Sequence, residues 1–179
     1  MDNAKEMSVI FAGLDLAKRG INVLAIDGPG QSEPLRLHNI PARHDYEAAG
    51  IPAYNYVVSR PEVDPRRVAA MGYSFGGYYS SRVAAFEKRY AACIALSALH
   101  WDLAAWQTRI KEANKNAPKS VAQSNFQWRW VAGAADEDEG IEIAKKFSLK
   151  EAAKHITCPF LVTHAGNDRV VPVENAQKL

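Results

Sequence analysis

The chain has 179 residues, of which 47% are hydrophobic and 23% are charged, and its formal net charge is +2. This balance is typical of one globular domain with a substantial core, and it excludes a disordered or fibrous chain. The sequence has no dense Lys/Arg stripe of the kind that marks nucleic-acid-binding proteins. No apolar run approaches the roughly 18 residues of a membrane span. Neither nucleic acid nor a membrane is therefore an expected partner.

The first residues and the two cysteines bear on where the protein is found. Residues 1–6 lack the charged-then-apolar pattern of a signal peptide. Cys93 lies within an apolar run, and Cys158 directly precedes Pro159 and another apolar run. Both settings are typical of small buried hydrophobes rather than of a disulfide pair. A cytoplasmic location is therefore the expectation.

The first part of the chain alternates helical and strand patterns. Apolar residues spaced by three and four predict a helix over residues 4–19, and the mostly apolar run at 21–26 predicts a strand. Residues 31–44 are predicted as a loop and residues 45–59 as a second helix. The segment 60–65 contains two prolines and predicts a turn that leads into the next strand.

A glycine-rich turn at residues 72–76 organises the rest of the chain. It has the pattern G-x-S-x-G, with an apolar strand at 68–71 before it and a helix-forming run at 78–88 after it. This strand–turn–helix context is that of a nucleophile elbow, and it disfavours the alternative of a plain glycine turn. Glycine is expected at positions 72 and 76 because a side chain there would collide with the adjoining strand or helix. The turn exposes the hydroxyl of Ser74, and the N–H of Phe75 is predicted to donate to an oxyanion.

Two further apolar runs predict the remaining strands of the sheet. They lie at residues 91–96 and 159–164. Continuous apolar strands that alternate with amphipathic helices imply an α/β fold with a mostly parallel sheet and helices on both faces. Ligands bind such sheets at the carboxyl ends of the strands, and Ser74 and Asp168 both lie just past such ends. Asp168 has a second interpretation as part of a plain Asn-Asp turn.

Residues 101–155 contain all four tryptophans and show no strand pattern before the last strand. An insertion of this size between core strands predicts a helical cap over the active site. Trp101 and Trp106 are then candidate substrate-binding residues, together with Tyr73 of the elbow. The tryptophans equally well fix the insertion to the body of the domain. The predicted divisions are 1–100 for the first part of the core, 101–155 for the cap and 156–179 for the continued core.

Four pieces of the chain together resemble the α/β-hydrolase superfamily. They are residues 19–31, 63–68, the elbow and residues 164–172. Within this superfamily the chain most resembles the branch of 2,6-dihydroxypseudooxynicotine hydrolase, FrsA-like esterases and polyketide-transferase-type hydrolases. Dienelactone hydrolases and prolyl oligopeptidases are related families. The resemblance implies an α/β-hydrolase fold and a serine hydrolase acting on a small-molecule ester or carbonyl compound. Carbon–carbon cleavage and acyl transfer are its other reactions, and neither a metal nor a cofactor is implied.

The resemblance also implies roles for individual residues. Ser74 is the nucleophile and Asp168 the triad acid, because a serine needs a histidine to take its proton and a carboxylate to hold that histidine. The family's histidine lies some tens of residues beyond the acid, and this chain ends at residue 179. His100 and His164 are the two histidines expected near the active edge.

The chain thus resembles the middle of a hydrolase, truncated at both ends, without the leading strands and the second oxyanion donor. A second hypothesis follows from this resemblance. The chain would then be a catalytically incomplete α/β domain that binds a ligand or a partner. An open sheet edge favours self-association, so a homodimer is one assembly that the sequence leaves open.

Overall fold

The computed structural model describes residues 4–97, 100–115, 125–168 and 170–179. Within these ranges three parallel strands form one sheet in the order β1-β2-β3. The strands are β1 at Ala69–Tyr73, β2 at Ala92–Leu96 and β3 at Phe160–Thr163. Tyr73 pairs with Leu96, and Leu96 pairs with Thr163, so the three strands end level with one another. The predicted α/β architecture with a parallel sheet is therefore confirmed.

Helices flank the sheet, and the helices predicted over 4–19, 45–59 and 78–88 are present with shifted ends. Between β2 and β3 the described residues contain helices and an isolated bridge between Asp102 and Ser148. None of the described helices combines the length and the apolar character needed to cross a bilayer. The bounds are α1 at Lys5–Ser8, continued by a π-helical turn at Val9–Gly13 and a last turn at Leu14–Lys18, α2 at Ser32–His38, α3 at Glu47–Val58, α4 at Gly76–Phe86, α5 at Leu103–Lys115, α6 at Asn125–Ala132, α7 at Glu137–Ala144 and α8 at Glu174–Gln177.

The strand predicted at 21–26 is wrong. These residues form no strand, and the apolar side chains of Ile21, Val23 and Leu24 are 51%, 43% and 43% exposed. A strand requires a neighbour for its backbone N–H and C=O groups, and within the described ranges no strand pairs with this run. The outer edge of β1 is unpaired within the same ranges. The apolar pattern of residues 21–26 therefore indicates side chains that favour burial, but most of them are exposed in this structure.

The loop predicted at 31–44 is also wrong in part, because it contains α2. Pro34 lies in the first turn of this helix, where a missing N–H breaks no intrahelical hydrogen bond. Leu35 is buried in the core, and Asn39 ends the helix in a left-handed conformation with φ of 53°. A proline at the start and an asparagine at the end therefore bound a helix rather than indicate a loop.

Helices α3 and α4 pack closely, and this contact positions the helix that follows the elbow. A Cβ on Gly50 would overlap Cγ2 of Val83, which explains a glycine in the middle of α3. The Arg82 guanidinium of α4 lies 2.5 Å from a carboxylate oxygen of Glu47 in α3, and both side chains are largely buried. This packing fixes α4 against the body of the domain.

Aromatic side chains below the elbow form the centre of the core. Phe75 is 3% exposed, and its ring centroid lies 4.8 Å from that of His100 and 4.9 Å from that of Tyr79. Trp128 and Phe147, which follow β2 in the chain, contact the same ring at 6.2 and 6.1 Å. The segment after β2 therefore shares one core with the sheet. Trp128 fixes that segment to the body of the domain, one of the two roles open to the tryptophans.

Candidate active site

Ser74 directly follows β1 and has a left-handed backbone with φ of 57°. Its N–H donates to the carbonyl of Leu96 at 2.8 Å, and its own carbonyl accepts from the N–H of Gly77 at 2.8 Å. The residue is exposed at the end of the strand. A non-glycine residue in this region costs about 1–2 kcal/mol, and such strain concentrates at functional sites. The sharp turn expected of the G-x-S-x-G pattern is therefore present.

Only one of the two elbow glycines is required by space. A Cβ on Gly72 would overlap the carbonyl oxygen of Gly76, so the end of β1 and the start of α4 touch backbone to backbone. A Cβ on Gly76 would have no atom within 4 Å. The prediction that a side chain would collide at both positions is therefore wrong for Gly76. The structure has room for a Cβ at this position.

Phe75 is the residue immediately before α4. It has helical backbone angles, with φ of −57° and ψ of −23°, while its side chain is directed into the core. Within the described ranges its N–H donates to no protein acceptor. N–H groups at a helix start lack intrahelical partners and lie at the positive end of the helix dipole. This N–H, next to the Ser74 hydroxyl in the chain, is chemically able to stabilise an anionic oxygen.

Asp168 lies in the turn after β3. Its Oδ1 accepts hydrogen bonds from the N–H groups of Val170 at 2.8 Å and Val171 at 3.0 Å. The Val171 and Val170 amides hold the pKa of the Asp168 carboxyl below its usual range, because they bond to the charged form. Its Oδ2 lies 3.8 Å from Nε2 of His164. Asp168 is therefore an ionised carboxylate at neutral pH.

His164 follows β3 and is held by the same turn. Its side chain is 3% exposed, and its Nε2 lies 2.9 Å from the carbonyl oxygen of Val171. A carbonyl oxygen only accepts, so Nε2 carries the hydrogen. Nδ1 is buried without a partner among the described atoms. The ring therefore has one nitrogen occupied by the backbone and one that is able to accept.

His100 is placed beside the elbow but is a poor base. It is 5% exposed, between the rings of Phe75 at 4.8 Å and Trp106 at 5.7 Å. Burial lowers the pKa of His100 to about 3. A general base works best with a pKa near the operating pH, so His100 is mismatched to this task. Within the described ranges no histidine hydrogen-bonds to the hydroxyl of Ser74.

The predicted substrate-binding residues occupy different places. Tyr73, the last residue of β1, is 62% exposed, and its ring centroid lies 6.5 Å from that of Phe11 in the π-helical turn after α1. Trp101 is half-buried, and its backbone N–H donates to the side-chain oxygen of Asn175 at 3.3 Å. Trp106 donates its indole N–H to the carbonyl of Val170, in the turn that holds Asp168, at 2.6 Å. The structure thus places Trp106 against the turn of Asp168, Tyr73 before Ser74 in the chain, and Trp101 against α8.

Two features of this edge were missed by sequence reasoning. Ser97 follows β2 with φ of 62°, and its N–H donates to the carbonyl of Thr163 at 2.8 Å. It therefore repeats the backbone of Ser74 one strand further along the sheet, without the flanking glycines that make a motif. The amides of Val170 and Val171 also escaped prediction, because every residue type except proline supplies a backbone N–H.

Solved structures identify the fold class to which this arrangement belongs. The crystal structure of 2,6-dihydroxy-pseudo-oxynicotine hydrolase superposes with a TM-score of 0.72 and 22% identity, over 86% of this chain and 40% of that one. AbyA5 superposes with a TM-score of 0.73 and 19% identity, over 98% of this chain and 46% of that one. At these identities the likeness concerns the fold alone. The fold is that of the α/β hydrolases.

The family follows from the sequence match. The model of the prolyl oligopeptidase family matches residues 12–179, and the chain belongs to this family. The hydrolase phmG of Phaeosphaeria nodorum is 33% identical over 181 residues, which are 83% of this chain and 39% of that protein. This chain thus spans about two fifths of the length of that relative.

Proposed function

We propose that the chain carries the nucleophile and the acid of a serine hydrolase that acts on a carbonyl compound, with a carboxylic ester as the preferred substrate class. One observation carries the proposal: Ser74 is held in a left-handed turn at the end of β1, beside the N–H of Phe75, which has no acceptor among the described residues. The hydrolase phmG supports it as a named relative. Carbon–carbon cleavage and acyl transfer use the same nucleophile and are the competing reactions.

The first step forms a covalent bond between Ser74 Oγ and the substrate carbonyl carbon. The electron pair of the C=O bond moves to oxygen, and the N–H of Phe75 donates a hydrogen bond to this oxyanion. A histidine takes the proton of Ser74 and delivers it to the leaving alcohol, and water then hydrolyses the acyl-serine. The ionised Asp168 holds that histidine in the required tautomer. Within the described ranges, His100 is too weakly basic for this role, and His164 has Nε2 bonded to a backbone carbonyl.

An apolar or aromatic substrate fits the side chains around this edge. Tyr73 has an exposed ring and directly precedes Ser74 in the chain, and Trp106 donates to the turn that holds Asp168. Trp101 is proposed to complete this surface from the segment after β2. Aromatic side chains supply large apolar contact area with a polar group at the rim, which suits an ester with an apolar acyl group.

Fluorophosphonate labelling, read by intact mass, tests the role of Ser74. One adduct is expected on the parent chain when a histidine reaches Ser74 Oγ, and none is expected on Ser74→Ala. Ser97→Ala is the matched control, because Ser97 has the same backbone one strand away and is expected to leave labelling unchanged. An adduct that survives Ser74→Ala would assign the chemistry to another residue. No adduct on a chain shown by circular dichroism to be folded would refute the proposal for this chain.

A second candidate function is a ligand-binding domain without turnover. One observation favours it: within the described ranges the Ser74 hydroxyl has no histidine partner. Removing one member of a triad leaves only the residual catalysis that binding and the oxyanion donors supply. A saturable shift in the amide resonances of Phe75 with a non-hydrolysable ester analogue, together with absent labelling, would distinguish this function from the first.

A further inference from the structure

The turn after β3 is bonded on both of its sides. The N–H groups of Val170 and Val171 donate to Asp168. The carbonyl of Val170 accepts from the indole N–H of Trp106 at 2.6 Å, and the carbonyl of Val171 accepts from His164 at 2.9 Å. Two consecutive valines thus connect the acid to a tryptophan of α5 and to a histidine after β3.

One peptide group carries the connection between Trp106 and Asp168. The carbonyl of Val170 and the N–H of Val171 belong to the same planar unit, and in a trans peptide they point in opposite directions. Trp106 therefore bonds to one side of this unit while Asp168 bonds to the other. Hydrogen bonds in such a chain polarise and strengthen one another. The indole and the carboxylate thus bond to opposite sides of one peptide group.

Trp106 is well placed to hold this peptide because α5 is itself firmly packed. Leu103 and Gln107, the neighbours of Trp106 on α5, are 0% and 2% exposed. The Trp106 ring contacts the ring of His100 in the core at 5.7 Å. One turn further along α5, a guanidinium nitrogen of Arg109 lies 3.5 Å from the same carbonyl of Val170. The donor therefore comes from a rigid element.

We propose that Trp106 is a positioning residue for Asp168, acting through the Val170–Val171 peptide group. This inference deepens the proposed function and rests on it, because it gives the acid of that site its orientation. A rotation of this peptide would withdraw the N–H of Val171 from the carboxylate. A Trp106 that only lined a substrate pocket would have no influence on the titration of Asp168.

The test compares Trp106→Phe with a matched control. Phenylalanine keeps an aromatic ring in the core and removes the indole N–H. Trp128→Phe removes an indole N–H of the same kind, which donates to the carbonyl of Gly140 at 2.8 Å, away from the acid. The readouts are amide hydrogen exchange at Val171 and the titration of the Asp168 carboxyl carbon, both by NMR.

In Trp106→Phe we expect exchange at Val171 to be roughly fivefold faster, as the loss of about one hydrogen bond predicts. The pKa of Asp168 is expected to rise, because the amides no longer favour its charged form. Trp128→Phe should leave both quantities unchanged. Unchanged values in Trp106→Phe would overturn the proposal. Equal changes in both variants would also overturn it, because they would reflect general loosening.

These readouts require no turnover, so they separate the inference from the proposed function. If fluorophosphonate labelling of the parent fails, the serine hydrolase proposal fails, and the exchange and titration data still decide whether Trp106 holds the Asp168 turn. If labelling succeeds and the Asp168 titration does not respond to Trp106→Phe, the hydrolase proposal stands and the positioning role is refuted.

Discussion

Phe75 should be among the most sensitive positions in the chain, because its side chain and its backbone serve different purposes. The ring is 3% exposed and contacts core rings from the segment after β2, at 4.8 Å for His100 and 6.1 Å for Phe147. Phe75→Ala is expected to lower the free energy of unfolding by about 3–5 kcal/mol, from lost apolar burial and the cavity left behind. That is a large share of the roughly 5–15 kcal/mol that stabilise a typical domain.

Urea unfolding followed by far-ultraviolet circular dichroism measures this loss. Phe126→Ala is the matched control, because Phe126 is 69% exposed and its removal should change stability by no more than about 0.5 kcal/mol. Phe75→Leu keeps an apolar side chain and the backbone N–H, so it should retain the fluorophosphonate labelling of Ser74. A loss below about 1 kcal/mol for Phe75→Ala would refute the account of the core in which this ring joins the segment after β2 to the sheet.

Three further predictions concern other parts of the chain. Gly72→Ala is expected to lower the free energy of unfolding in urea by more than about 4 kcal/mol, because its Cβ would overlap the Gly76 carbonyl. Gly76→Ala has open space around its Cβ and should change this free energy by about 1 kcal/mol or less. Similar losses in the two variants would contradict the contact between Gly72 and Gly76. The pKa of Asp168 lies below its unfolded value, so this carboxylate stabilises the fold above about pH 4. The stability difference between the parent and Asp168→Asn should shrink as the pH falls through the folded pKa, and a difference that grows as the pH falls below about 4 would show that the amides do not favour the charged form. Burial raises the pKa of the Cys93 thiol to about 12. Iodoacetamide at pH 8 should therefore modify the native chain once, at the partly exposed Cys158, and the denatured chain twice. Modification of Cys93 in the native chain would contradict its burial.

The local pattern of the sequence predicts the elements that depend on local interactions. The elbow at residues 72–76 combines a strand, a steric requirement at Gly72 and a helix start, and all three are encoded within a few positions. The strands β2 and β3 were predicted within one residue of their observed ends, since a buried parallel strand reads as an unbroken apolar run. The helices α3 and α4 follow from apolar spacing in the same way.

The features that depend on partners were not predictable from the chain alone. Residues 21–26 have the composition of a strand, but strand formation depends on a neighbour that the described chain does not supply. The environment of Asp168 depends on two backbone N–H groups and on an indole more than sixty residues earlier in the chain. The low pKa of His100 arises from burial beneath Phe75, which only the tertiary structure reveals.

The left-handed backbones of Ser74 and Ser97 have a consequence for directed evolution. Each lies at φ of 57° or 62°, where glycine is relaxed and an L side chain costs about 1–2 kcal/mol. A library selected only for heat resistance would therefore enrich glycine at both positions. At Ser74 such an enrichment would delete the hydroxyl on which the proposed chemistry depends. A thermostabilisation campaign on this protein consequently needs an activity screen in every round, because selection for stability alone would favour the loss of the proposed nucleophile.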